Sequence, residues 1–200
     1  MISKELFEEL KEKVKAAIGE NGSHDFNHTM RVYNNAILIS KGLDVDLDVV
    51  KAAAILHDIA KHKEKREGIK DHATHGANEA RKILEKTNFP KEKIDVVCKC
   101  ILLHNKKEEL PAVKEVRVLQ EADGLDAIGA IGIAREFSFV GEENVWNSSS
   151  PTNPINELIK FSNISYFKLP IAKKLAEEKI KITKDFCNAF IKEWDMKYNN

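Results

Sequence analysis

The chain has 200 residues, with 32 lysines and arginines against 32 aspartates and glutamates, so its net charge is zero when histidine is neutral. This length suits one domain with a single apolar core. The balanced charge argues against extended nucleic acid or an anionic membrane as a partner. The three cysteines form no CxxC pair, which favours a reducing, cytoplasmic setting over a disulfide framework.

The first 18 residues place apolar side chains at helical spacing among alternating acids and lysines. This pattern predicts an amphipathic helix and excludes a signal peptide, whose centre would be apolar and uncharged. No later segment is apolar and uncharged for long enough to cross a bilayer. The helical period continues and predicts five further helices. The second helix covers residues 27–42, and the third runs from a cap at Asp46 or Asp48 to about residue 61. The next two cover residues 72–86 and 91–103, and another follows Pro111 and contains Asp123.

Three other stretches have signatures of their own. Residues 63–70 are charged and contain a glycine, so they predict an exposed loop, whereas the apolar residues 125–139 predict a buried segment. Residues 141–156 are rich in Gly, Ser, Asn and Pro and predict a long loop. A last helix follows Pro170, and its apolar residues recur at helical spacing.

No segment alternates with a period of two residues, so the predicted fold class is all-α, a compact helical bundle. We expect a single domain over residues 1–200. Its core motifs lie within residues 24–135, and a C-terminal helical portion covers residues 154–196.

Four ionisable residues occupy positions that the apolar period assigns to the core, namely His28, His57, His104 and Asp123. Any one buried histidine is ordinarily a hydrogen-bonded core residue. A buried carboxylate is unfavourable unless a cation or strong donors compensate it, and both Asp58 and Asp123 share faces with these histidines. A divalent ion with imidazole and carboxylate ligands meets that need, and the set suits manganese, iron, nickel, cobalt or magnesium.

Further polar residues leave two interpretations open. Lys61 lies one turn beyond the His-Asp pair and either binds a phosphate oxygen or is a solvated lysine at a helix end. Arg31, three residues after His28, either touches substrate or lies on the surface. The stripe that contains His75 is either a solvated helix face or the source of a second metal site, in which His75 and His104 would be ligands.

The motifs themselves have a recognisable form: His24-Asp25-Phe26-Asn27-His28, then Ala54-Ile55-Leu56-His57-Asp58-Ile59, then Glu121-Ala122-Asp123-Gly124-Leu125. Together they resemble the HD-domain metal-dependent phosphohydrolases, whose signature is a lone histidine, a His-Asp pair and a distant aspartate. The likeness is greatest to small bacterial and archaeal members, some of which cleave nucleoside triphosphates, and it covers nearly the whole chain. This resemblance implies an HD-type helical bundle and one metal ion held by His28, His57, Asp58 and Asp123.

Two departures qualify the resemblance. A basic residue commonly follows the last aspartate in that subgroup, but here Gly124 does. The run from His57 to Lys61 is more similar to the His-Asp-x-x-Lys of HD phosphodiesterases with two metals, in which further histidines complete the second site. The closer subgroup, however, does not usually have a histidine at the position of His75. One metal is therefore the favoured expectation, and two remain open.

The expected activity is hydrolysis of a nucleotide or another small phosphate ester or anhydride, in which the ion activates water for attack on phosphorus. Asp58, Lys61 and His104 are the expected catalytic residues, and Arg31 and Lys61 are the expected substrate contacts. The alternatives are a two-metal phosphodiesterase acting on a cyclic nucleotide or oligonucleotide, and a non-catalytic nucleotide-binding module stabilised by metal. The expected partner is a small phosphorylated molecule, and the sequence leaves a homo-oligomer open.

Overall fold

The computed structural model describes residues 2–18, 22–106, 113–143 and 153–195. Within these ranges the regular structure is entirely helical, which confirms the all-α prediction. The helices are α1 Lys4–Ile18, α2 Phe26–Ile39, α3 Leu47–Leu56, α4 Lys61–Glu67, α5 His72–Glu85, α6 Ile94–Leu103, α7 Lys114–Asp126, α8 Gly129–Glu142, α9 Asn153–Phe161 and α10 Pro170–Trp194. Short 3-10 helices cover Lys91–Lys93 and Ile164–Tyr166. None of the described helices is both long and apolar enough to span a membrane.

The chain forms two compact units, residues 1–123 and 124–200. The prediction of one domain over residues 1–200 therefore stays a prediction. In the first unit, α3 is central and packs against α1, α2 and α6, while α5 packs against α6. Nearly every side chain of α3 is buried, as expected of a helix surrounded by others.

Helix caps fix the starts of three helices in the first unit. The Asp25 side chain accepts a hydrogen bond from the backbone N–H of His28 at 2.7 Å, and Asp46 accepts from the N–H of Asp48 at 2.9 Å. Asp71 accepts from the N–H of Thr74 at 3.1 Å. These carboxylates satisfy N–H groups that the first helical turn leaves without partners.

The structure corrects the predicted loop over residues 63–70. Helix α3 ends at Leu56, the turn 57–60 follows, and α4 then runs to Glu67. Helix α4 consists mainly of lysine, glutamate and arginine, which are good helix formers even without an apolar stripe. It ends at Gly68, whose φ of 69° is the left-handed conformation that favours glycine.

Two predictions for the second unit were also wrong in part. The segment predicted to be buried forms most of α8, but Ile131 and Phe139 are 42% and 37% exposed, because a helix on a core turns part of its circumference outward. The predicted long loop is shortened at both ends by α8 and α9, and residues 144–152 lie outside the described residues. Helix α10 packs against α8 and α9, and begins at Pro170 as predicted.

Candidate metal centre

Four helix termini bring four imidazoles of the first unit together. His28 lies in the first turn of α2 and His72 is the first residue of α5. His57 and His104 are the residues that cap the C-terminal ends of α3 and α6. All four are buried, and Asp58, in the turn after α3, contacts them all.

The first cluster contains the four ligands expected from the sequence. The Nε2 atoms of His28 and His57 face each other at 3.3 Å. Asp58 Oδ2 lies 3.7 Å from the Nε2 of His28 and 3.5 Å from that of His57. Asp123 Oδ1 lies 3.5 Å from the Nε2 of His28. The side chain of Asp123 is 32% exposed, however, so the predicted burial is wrong: the apolar stripe of α7 identifies the face of this residue but not what covers it.

The hydrogen bonds of His57 identify which nitrogen can bind a cation. Its Nδ1 lies 2.9 Å from the carbonyl oxygen of Ala54, and because a carbonyl can only accept, Nδ1 carries the hydrogen. Burial lowers the pKa of His57 below its ordinary value and outweighs the opposing charges of nearby carboxylates. Burial thus favours the neutral ring, whose Nε2 lone pair is directed at the cluster.

Asp58 supplies the negative charge of the centre. Burial acting alone would raise the pKa of this carboxyl, but His57 and the two further imidazoles of His104 and His28 beside it hold that pKa well below its usual value. A buried carboxylate beside imidazole nitrogens that converge on it is the donor set of a divalent cation. His28, His57 and Asp58 place their ligand atoms within 4.8 Å of one another, so these residues fit a metal ion.

A second cluster shares the same aspartate. Asp58 Oδ1 lies 3.5 Å from the Nε2 of His72 and 3.4 Å from that of His104, and the three ligand atoms also lie within 4.8 Å of one another. Nδ1 of His104 donates to the carbonyl oxygen of Ile101 at 2.6 Å. Burial opposes the charged form of His104, but the hydrogen bond and charge of Asp58 raise its pKa. Each oxygen of Asp58 thus faces one pair of histidines.

The structure places His72, and not the predicted His75, beside His104. His75 is exposed and lines an open cavity of about 380 Å³ together with Lys63, Glu79 and two other residues of α5. The sequence places both histidines on one polar stripe of α5. At the start of the helix that stripe meets the end of α6, whereas one turn later it faces solvent.

Of the two predicted substrate contacts, Lys61 is linked to this centre through Glu64, which also contacts His72. The Nζ of Lys61 forms an ion pair with Glu64 Oε2 at 2.7 Å, and 24% of the lysine side chain is exposed. Arg31 is half-buried on α2. His24 also lies near, with its ring centroid 5.6 Å from that of His28. Glu64 was not predicted from the sequence, because it lies in the stretch that was predicted to be a loop. The spacing of Lys61 and Glu64, three residues apart, is nevertheless typical of an ion pair on a helix.

Helix α7 holds the elements of the site in place. The side-chain amide of Gln120 donates to the carbonyl oxygens of Leu103 and Lys106 at 2.9 and 2.8 Å, so it binds both sides of His104. Asn35 of α2 donates to the carbonyl oxygen of Ala122 at 3.2 Å, next to Asp123. These bonds tie α2 and the end of α6 to the helix that carries the last predicted ligand.

Comparisons with known proteins identify the family of the chain. A family model described as HD domain matches residues 25–128. The chain is 34% identical over 127 residues to the uncharacterized protein YpgQ of Bacillus subtilis, a match that covers 61% of this chain and 60% of YpgQ. The matched region thus spans about three fifths of the length of that curated relative.

Solved structures extend the likeness over nearly the whole chain. A predicted HD superfamily hydrolase from an uncultured Thermotogales bacterium matches with a TM-score of 0.65 and 31% identity, over 94% of this chain and 92% of that one. The structure of Bacillus subtilis YpgQ in complex with ADP matches with a TM-score of 0.72 and 27% identity, over 94% and 97%. The HD-domain model covers more than half of the chain and includes the lone histidine, the His-Asp pair and the distant aspartate. The chain therefore belongs to the HD-domain phosphohydrolase superfamily and has the fold of its hydrolases.

Proposed function

We propose that this protein is a metal-dependent phosphohydrolase that acts on a nucleotide or another small phosphate ester or anhydride. The observation that carries the proposal is the buried carboxylate of Asp58, with two histidine Nε2 atoms facing each of its oxygens. Buried polar groups in this number are unfavourable for stability unless they serve a bound cation. Perturbed pKa values that cluster in this way are typical of a catalytic centre.

The residues divide into ligands and groups that act on substrate. His28, His57, Asp58 and Asp123 would hold a divalent ion of manganese, iron, nickel, cobalt or magnesium. That ion, when bound, would supply Lewis-acid activation of water and of the phosphoryl group. The carboxylate of Asp58 would also accept a hydrogen bond from the attacking water.

Three further side chains would transfer protons or stabilise negative charge on the substrate. Nδ1 of His104 is occupied by a carbonyl oxygen, so Nε2 is the atom that can deliver or accept a proton. Lys61 and Arg31 would contact phosphate oxygens as positive charges. A nucleotide is the favoured substrate class because the related YpgQ of Bacillus subtilis has been crystallised with ADP.

The test is turnover on a panel of nucleoside mono-, di- and triphosphates with added manganese, measured as release of phosphate and pyrophosphate. A double variant, His57→Ala with Asp58→Ala, should lose turnover by at least about a thousandfold, since both groups act directly at the reacting centre. His75→Ala is the matched control and should keep wild-type rates, because this histidine is exposed. Equal rates for the double variant and the wild type would contradict the proposal.

A two-metal phosphodiesterase is the second candidate, and the cluster of Asp58, His72 and His104 favours it. Under this alternative the protein should retain two equivalents of manganese after dialysis, and His72→Ala should lose one of them. It should also hydrolyse a phosphodiester such as bis(p-nitrophenyl) phosphate. Binding of manganese and nucleotide without turnover on any substrate would instead favour a non-catalytic module.

A further inference from the structure

One carboxylate of α4 contacts two of the groups assigned to the site. Glu64 Oε1 accepts a hydrogen bond from Nδ1 of His72 at 2.6 Å. Its other oxygen, Oε2, accepts from the ammonium group of Lys61 at 2.7 Å. The Glu64 side chain is 30% exposed, so it stands between the buried cluster and solvent.

The need for this carboxylate follows from where His72 lies on its helix. His57 and His104 end helices, and each directs Nδ1 to the carbonyl oxygen three residues earlier, that of Ala54 or Ile101. His72 is the first residue of α5, so no preceding turn of its own helix offers a carbonyl at that position. Glu64, from a different helix, takes the place of that carbonyl.

The contact also selects the form of the imidazole. An ionised carboxylate can only accept hydrogen bonds, so Nδ1 of His72 carries the hydrogen. The remaining nitrogen, Nε2, then directs its lone pair towards Asp58 Oδ1, 3.5 Å away. Burial opposes ionisation of Glu64, but the hydrogen bonds with Lys61 and His72 outweigh it and lower its pKa.

We infer that Glu64 is the positioning residue of this centre: it fixes the tautomer and orientation of His72 and holds the ammonium of Lys61 at the edge of the cluster. The effect on hydrolysis rests on the proposed function, whereas the effect on His72 does not. A carboxylate behind a histidine ligand typically changes metal affinity by about 10–100-fold.

The first test needs neither metal nor substrate. In metal-free protein at about pH 8.5, above the usual titration range of histidine, nitrogen-15 NMR should show His72 with hydrogen on Nδ1. Glu64→Ala should shift this ring towards hydrogen on Nε2. Glu64→Gln should keep the wild-type tautomer, because the amide oxygen still accepts from Nδ1. Glu67→Ala, an exposed position on the same helix, is the matched control and should leave the spectrum unchanged.

The second test separates the two partners of Glu64. If the cluster of Asp58, His72 and His104 binds manganese, titration of the full chain should show about 10–100-fold weaker binding there in Glu64→Ala, with affinity restored in Glu64→Gln. Lys61→Met should raise KM for a nucleotide by about tenfold while the tautomer of His72 stays as in the wild type. Glu64→Gln should share that rise in KM. Its amide oxygen still accepts from His72, so the NH2 group takes the position that faces Lys61, and two donors cannot hydrogen-bond to each other.

The outcomes distinguish this inference from the proposed function. If no variant hydrolyses any nucleotide, the proposed function fails, yet the NMR and manganese titrations still decide the role of Glu64. If the wild type turns over substrate but Glu64→Ala leaves the tautomer and the manganese affinity of His72 unchanged, Glu64 is not a positioning residue.

Discussion

Replacing Asp123 with alanine is the sharpest test of the proposed metal centre. Asp123 lies in the last turn of α7, with Oδ1 3.5 Å from the Nε2 of His28. Its side chain is 32% exposed, so its interaction with His28 in the absence of metal is worth less than about 1 kcal/mol. We therefore expect the stability of the metal-free protein to change little.

The effect on the metal-bound protein should be much larger. At a free manganese concentration one hundred times the dissociation constant, binding stabilises the wild type by about 2.7 kcal/mol. If loss of the carboxylate weakens binding a hundredfold, the same concentration stabilises Asp123→Ala by only about 0.4 kcal/mol. For a chain of this size these values correspond to increases in Tm of about 5–11 °C and about 1–2 °C.

The assay is the thermal midpoint of each protein with and without manganese. Glu115→Ala is a matched control on the same helix, since it removes a hydrogen bond of 2.8 Å to the backbone of Asp46 and touches no predicted ligand. This control should lower Tm but keep the full increment from manganese. If Asp123→Ala gains the same increment as the wild type, Asp123 is not a ligand and the reasoning is wrong.

Three other predictions concern stability and metal dependence. Gly68→Ala should lower the free energy of unfolding in urea by about 1 kcal/mol, because a residue with a Cβ is strained in the left-handed conformation of Gly68. The loss should not exceed that strain, since the added Cβ meets nothing within 4 Å. Gly68→Asn should recover most of that loss, because asparagine tolerates the left-handed conformation. A urea midpoint of Gly68→Ala equal to that of the wild type would contradict the left-handed conformation of Gly68. Thr183→Val should cost about 1–3 kcal/mol, because the buried backbone N–H of Gly129 loses its acceptor at 2.7 Å, whereas Thr183→Ser should stay near the wild type. A chelator should abolish phosphate release and manganese should restore it; activity that survives exhaustive chelation would exclude a metal-dependent reaction.

The sequence could predict the members of the first cluster because each breaks a local pattern. His28, His57 and Asp123 interrupt apolar stripes at helical spacing, and Asp58 follows one of them directly. The convergence of these residues depends on how the helices pack, and the apolar period of each helix does not predict that packing. The resemblance to HD-domain proteins predicted that the four residues converge, and the structure brings their side chains together.

The second cluster could not be assigned correctly from the sequence. His72 and His75 lie on one polar stripe, and only the position of the α6 terminus distinguishes them. Helix α4 was missed for a different reason: seven residues without an apolar face give no periodic signal, although their intrinsic propensity is helical. With the helix unrecognised, Glu64 had no reason to be placed near a histidine eight residues later.

Charge balance at the centre gives a last prediction, which relates the number of ions to the substrate. Asp58 and Asp123 supply two negative charges, and Glu64 adds none because Lys61 neutralises it. One divalent ion therefore leaves the centre neutral, whereas two leave it with a double positive charge that a phosphate group would balance. A non-hydrolysable nucleoside triphosphate should bind at least about tenfold more tightly with two equivalents of manganese than with one, and added salt should weaken that gain. Magnesium should be present in all samples, so that the nucleotide is saturated with metal throughout. If the nucleotide then binds equally tightly with one and with two equivalents of manganese, the cluster of Asp58, His72 and His104 holds no second ion beside the substrate.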